Sequence, residues 1–210
     1  MQGLILFSII TATYFMVVVK RVPALVSSFR YQSFFLFLIT LLAGFREGRI
    51  DLYFVALFVL ALKVFVIPYF LRVIARRINV DENLGLFVNA QLSLVTAFAL
   101  TYLSKLLSER LGFFYGYQWG YVTVAFSMVF IGAFLMVSRM KAFTQVTGML
   151  VMENGVFLLA SSISGGMPFF VEIAIFLDVF VSVIIMGLFV YRINKFFTHI
   201  DVNRLSRLKG

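Results

Sequence analysis

Seven stretches of this chain are long and apolar, and most of the loops between them are too short to fold by themselves. Cut at charges, prolines and glycines, the stretches run roughly over 3–19, 32–45, 52–74, 84–104, 119–138, 144–164 and 170–191. A helix crosses the hydrocarbon of a bilayer with about 20 largely apolar residues. The second run is the shortest and needs Phe29 and Tyr31 to complete it. Hydrophobic residues make up 62% of the 210, and the mean hydropathy is +1.04. Soluble domains use roughly 45–50% apolar residues, so lipid must be the solvent for most of this surface. The expected class is an all-α, polytopic transmembrane helical bundle of about seven spans, in one transmembrane domain over 1–210.

Charge sets the expected orientation. Lys20, Arg21, Arg30, Arg72, Arg76, Arg77, Arg139, Lys141, Arg192, Lys195, Arg204, Arg207 and Lys209 fall on one side of the spans, and Arg46, Arg49, Lys105 and Arg110 on the other. The richer side is cytoplasmic by the positive-inside rule, which puts the N-terminus outside and the C-terminus inside a multi-pass cell membrane protein. The net charge of +9 is thus a topology signal, and nucleic acid is not an expected partner. Cysteine is absent, which excludes disulfides, iron–sulfur ligation and thiol catalysis within the chain. One histidine, His199, leaves no His-based metal site. The opening residues lack a basic region and a cleavage site, and read as a first span, not a signal peptide. Pro68 removes a backbone donor inside the third span and is expected to kink it. The stretch "SGGMP", 164–168, reads as a tight turn making the last two spans antiparallel neighbours.

Three ionisable side chains fall near mid-span: Lys63 in the third, Glu153 in the sixth and Asp178 in the seventh. Counted at 1.5 Å per residue from the nearest cytoplasmic charge, each lies about 13–21 Å deep, close to the centre of the bilayer. A charge there costs at least about 2.5–3.5 kcal/mol on insertion scales, so such groups face the bundle interior, pair, or become neutral. Competition between burial and a neighbouring charge can poise a group to exchange protons, as a relay requires. Glu172, at the start of the seventh span, is either a surface acid or a further relay member. Asn154, Asn89 and Gln91 are candidate polar support, of the kind that joins helices through hydrogen bonds. The same acids could instead only fix helix packing, with Lys63 a static partner of Glu153 or Asp178. No nucleophile–base pair, metal-ligand spacing or phosphate loop supports bond-making catalysis.

The segments "GMLVMENGVFLLA", "VEIAIFLDVFVSVIIMGLFVYRI" and "HIDVNRLSRLKG" resemble the hydrogenase-4 component E family, as does "LKVFVIPYFLRVIARRI" upstream. That family is similar to the K-type subunit of respiratory complex I and the C subunit of multisubunit cation/proton antiporters. The resemblance implies a five-span part over 1–140 and a K-like two-span part with a cytoplasmic tail over 141–210. It implies a membrane subunit of a nickel–iron hydrogenase or formate-hydrogenlyase-type complex, without an active site of its own. The nickel–iron centre and iron–sulfur clusters would lie in partner subunits, and no cofactor in this chain. Partners would be antiporter-like membrane subunits and the hydrogenase peripheral arm. Glu153 and Asp178 would be acids of a proton path, with Lys63 and Glu172 beside them. K-type subunits carry Glu at the second acid position, where this chain has Asp178. A cation/proton antiporter subunit and a purely structural scaffold fit the same residues.

Overall fold

The computed structural model describes residues 2–77, 89–110, 118–139, 142–163 and 187. Every regular element among them is helical: α1 Gln2–Val18, α2 Val22–Glu47, α3 Ile50–Phe58, a π-helical segment Val59–Val66, α4 Ile67–Arg77, α5 Ala90–Arg110, α6 Gln118–Ser138 and α7 Ala142–Ile163. Among the described residues five helices are long and apolar enough to cross a membrane, counting α3, the π segment and α4 as one rod over Ile50–Val73, and α1 is a shorter apolar helix. Large apolar side chains such as Leu4, Phe7, Phe54, Leu92, Phe98 and Val137 point outward. In water that surface would be a severe cost; in lipid it is the expected exterior. The chain is a helical membrane protein.

Two boundaries differ from the sequence reading. The second helix begins at Val22, not near residue 32, so Arg30 stands inside it and not in a loop. Pro23 suits the first turn of a helix, where no N–H is needed, and Val22, Leu25, Val26 and Phe29 supply a buried face upstream of the arginine. The fourth helix ends at Arg110, beyond the expected 104, because Ser104 and Ser108 are buried against the bundle while Lys105 and Glu109 face outward. Gly48, at φ 62°, closes α2 in the left-handed conformation, and its N–H reaches the Gly44 carbonyl. The turn into α3 is therefore tight. Residues 84–88, the "SGGMP" turn and the seventh run, Gly187 aside, lie outside the described residues.

α1 lies against α2, α5 and α6, α7 packs along α6 and reaches α2, and the rod of α3, the π segment and α4 rests on α2. The interior is divided into two apolar cores. One holds Met16, Val17, Leu25, Phe29, Leu71, Ile131 and Val151. The other holds Ile5, Ile9, Leu36, Val55, Met128 and Leu158. On every helix that reaches both, the switch from one core to the other falls at nearly the same level: after Ile9 on α1, after Phe29 on α2, after Val59 on the rod, after Met128 on α6 and after Val151 on α7.

Candidate functional site: a buried polar layer

The level between the two cores is polar. Thr13, Gln32, Ser33, Lys63 and Asn154 lie there, each 1% exposed or less. The Lys63 ammonium donates to Asn154 Oδ1 at 2.8 Å. Asn154 Nδ2 donates to Gln32 Oε1 at 3.1 Å and to Ser33 Oγ at 3.3 Å. Gln32 Nε2 donates to Thr13 Oγ1 at 2.7 Å, and the Thr13 hydroxyl donates to the Ile9 carbonyl. Glu153 closes the other end of this chain, with Oε1 2.9 Å from Lys63 Nζ. Four elements, α1, α2, the π segment and α7, are thus joined at one depth by side-chain hydrogen bonds. Each buried donor needs its acceptor here, since an unsatisfied one costs about 1–3 kcal/mol.

The backbone explains how a lysine reaches this level. Pro68 has no N–H, so the carbonyl of Val64 loses its ordinary helical partner. The chain answers with a wider turn: the Ile67 N–H bonds to the Leu62 carbonyl, five residues back. Where the sequence reading expected a kink at Pro68, the structure shows a π-helical segment just before it. Val55, Val59, Lys63, Ile67 and Leu71, every fourth residue, are all buried. A plain α-helix drifts about 40° over each such step, and the wider turn drifts the other way. The stripe therefore keeps facing the bundle, and Lys63 faces it too. The Phe157 ring lies 5.5 Å from the ammonium and covers it from the α7 side.

Three glycines fix the acid's helix. A Cβ on Gly132 of α6 would stand 2.6 Å from the Met152 nitrogen of α7, and one on Gly148 2.8 Å from the Gly132 carbonyl. One on Gly155 would stand 2.8 Å from the Ala125 carbonyl. The two backbones are in direct contact on both sides of Glu153 and Asn154, as small residues permit in membranes.

The sequence-derived candidates separate on this geometry. Lys63, Glu153 and Asn154 meet. Asn89 and Gln91 are exposed at the start of α5 and take no part in the layer. Asp178 and Glu172 lie outside the described residues. Sequence reasoning missed Gln32, Ser33 and Thr13. It also took Arg139 as a topology signal only. This arginine is 2% exposed, and its Nη2 donates to the carbonyls of Met16, Val17 and Val19, capping the end of α1. Burial pushes its guanidinium below its ordinary pKa, while the three carbonyls hold it in place. Among the described residues no group of three or more His, Cys, Asp and Glu could hold a metal.

Fold and layer define a class: a helical membrane protein with an ionisable pair at mid-bundle, its lysine buried and its acid partly so. The chain is 30% identical over 151 residues, 70% of its length, to hydrogenase-4 component E of Escherichia coli K12, and covers 69% of that relative. It belongs to the hydrogenase-4 component E family. The Shigella flexneri protein of the same name matches equally. An uncharacterised protein of Mycobacterium tuberculosis is 29% identical over 192 residues, covering 90% of this chain and 87% of the relative. No family model and no solved structure matches the chain.

Proposed function

We propose that the chain is an integral membrane subunit of a nickel–iron hydrogenase or formate-hydrogenlyase-type complex, and that it helps couple redox chemistry in other subunits to proton or sodium translocation. The observation that carries this reading is the Lys63–Glu153 pair between two apolar cores, its lysine buried and its acid partly buried, continued by hydrogen bonds toward α1. The family name supports the hydrogenase context. Passage of a proton from the Lys63 ammonium to the Glu153 carboxylate converts an ion pair into a neutral pair, and the reverse restores it. A nearby charge that favours one form over the other would drive this exchange. A change of charge at a junction with the peripheral arm would supply that input, and Asp178 would pass the response toward an antiporter-like partner. Seven spans with the C-terminus in the cytoplasm complete the proposal.

The test uses the intact complex in membrane vesicles. Glu153→Gln keeps the shape of the side chain and removes its proton exchange. Proton or sodium movement driven by hydrogen evolution is expected to fall several-fold in Glu153→Gln and in Asp178→Asn, with hydrogen evolution itself retained. Undiminished movement in both, in complexes assembled normally, would overturn the relay. A second reading rests on the hydrogen bonds from Asn154 to Gln32 and Ser33, which tie α7 to α2 whatever the charge on Glu153. If the layer is only such a clamp, Asn154→Leu lowers thermal stability and leaves coupling per assembled complex unchanged.

A further inference from the structure

One membrane-facing groove differs from the rest of the exterior. It runs between α2 and the rod, in two adjoining hollows of about 410 Å³ each. Arg30, Val64, Phe65 and Arg72 line both. Ser27 lies beside the arginines toward the end of the bundle where α2 begins, and Phe34 and Leu60 lie deeper. From Ser27 to Phe34 is about 10 Å along α2, so a charged mouth continues into an apolar slot. Arg30 is held over the Phe65 ring at 5.3 Å. Among the described residues neither Arg30 nor Arg72 makes an ion pair with an acid, and the two guanidiniums share one opening. At the other end of the bundle, Arg49 pairs with Glu47 and Asp51, and Lys105 with Glu109. Two uncompensated arginines above an apolar slot match a phosphodiester headgroup with an acyl chain below it. Guanidinium offers planar, paired donors to phosphate oxygens, and basic pockets between membrane helices take anionic headgroups.

We propose that this groove is a binding site for one anionic phospholipid, its headgroup phosphate held by Arg30 and Arg72 and one acyl chain lying along Phe34, Leu60 and Val64. The site stands on the groove alone and does not depend on the ion path. The test is native mass spectrometry of the full chain in mild detergent, titrated with phosphatidylglycerol, phosphatidylcholine or glycerol 1-phosphate. Phosphatidylglycerol is expected to be retained in preference to phosphatidylcholine, and its apparent affinity to fall by about tenfold or more in R30Q/R72Q. Arg110→Gln, at the far end of α5, should leave retention unchanged. Leu60→Trp fills the slot and keeps both arginines; it should also weaken retention, while helical content by circular dichroism verifies the fold of every variant. Equal retention of the two lipids, or undiminished retention in R30Q/R72Q, overturns the proposal. Binding of glycerol 1-phosphate as tight as that of the lipid also overturns it, in favour of a soluble phosphate ligand.

Discussion

The Glu153 carboxylate, the Asn154 amide oxygen and the Phe157 ring all hold Lys63, and each has a different consequence when removed. Removing one partner of a buried ion pair leaves the other charge without compensation, at about 3–5 kcal/mol. Glu153→Met, which strands the buried ammonium, is therefore expected to lower stability by about that amount, Lys63→Met by less because Glu153 is partly exposed, and the double variant to recover most of the loss; denaturant or thermal unfolding in detergent measures both. Gln32→Leu leaves the Asn154 amide and the Thr13 hydroxyl short of a partner, at about 1–3 kcal/mol. The ionisable members of the layer were legible in the sequence, because a charge inside an apolar run has few physical explanations. Thr13 was not. Ser8, Thr11 and Thr13 each bond the carbonyl four residues back, so the three look alike along the chain. Only packing shows that Thr13 faces Gln32. Gln32 was passed over as the first residue of a span because Arg30 marked a loop, and helix α2 in fact runs through both.

At the scale of the element, two backbone devices position the pair. The π segment keeps Lys63 turned inward, and the glycine contacts hold α7 flush against α6. Gly148→Ala and Gly155→Ala would drive a methyl group into backbone or the Met136 and Met128 side chains, and each is expected to cost about 1–3 kcal/mol, read as a lowered midpoint of thermal unfolding. Gly120→Ala meets only Leu6 Cδ1 at 3.6 Å and should be tolerated. Proline gave the site of the irregularity in the sequence, but not its kind, since a missing donor can be answered by a bend or by a wider turn. Arg139 makes the opposite point. In sequence it is one more basic residue after a span; in the fold, the carbonyls of Met16, Val17 and Val19, at the end of α1 and just past it, lie within its reach. Arg139→Gln is expected to lower stability by about 1–3 kcal/mol, checked by unfolding beside Arg76→Gln, an exposed arginine at the end of α4.

At the scale of the molecule, charge is unevenly compensated. The described acids Glu47, Asp51 and Glu109 all cluster at one end, each with a basic neighbour, and Glu153 sits at mid-bundle. The end bearing Lys20, Arg21, Arg72, Arg76 and Arg77 has no acid among the described residues. The excess of lysine and arginine at that end is what orients a chain during insertion, and the absence of cysteine makes the orientation measurable. A single cysteine in Glu109→Cys should react with a membrane-impermeant maleimide in intact cells, and one in Arg76→Cys only after the membrane is opened; the reverse pattern would invert the topology. The membrane class followed from hydropathy alone. A polar level at mid-bundle was expected from Lys63, Glu153 and Asp178 at similar depth; its division of the interior into two apolar cores was not, because most of the helices show no apolar stripe to mark their inner faces.

The glycine contacts between α6 and α7 also decide where movement can occur. Two helices whose backbones touch over three turns behave as one stiff body, so Glu153 and Asn154 keep fixed places relative to α6. Lysine reaches them through four methylenes from a loosened turn on another rod. In the Lys63–Glu153 pair the acid is the anvil and the base the hammer: a strain that opens or closes the gap is taken up first on the lysine side.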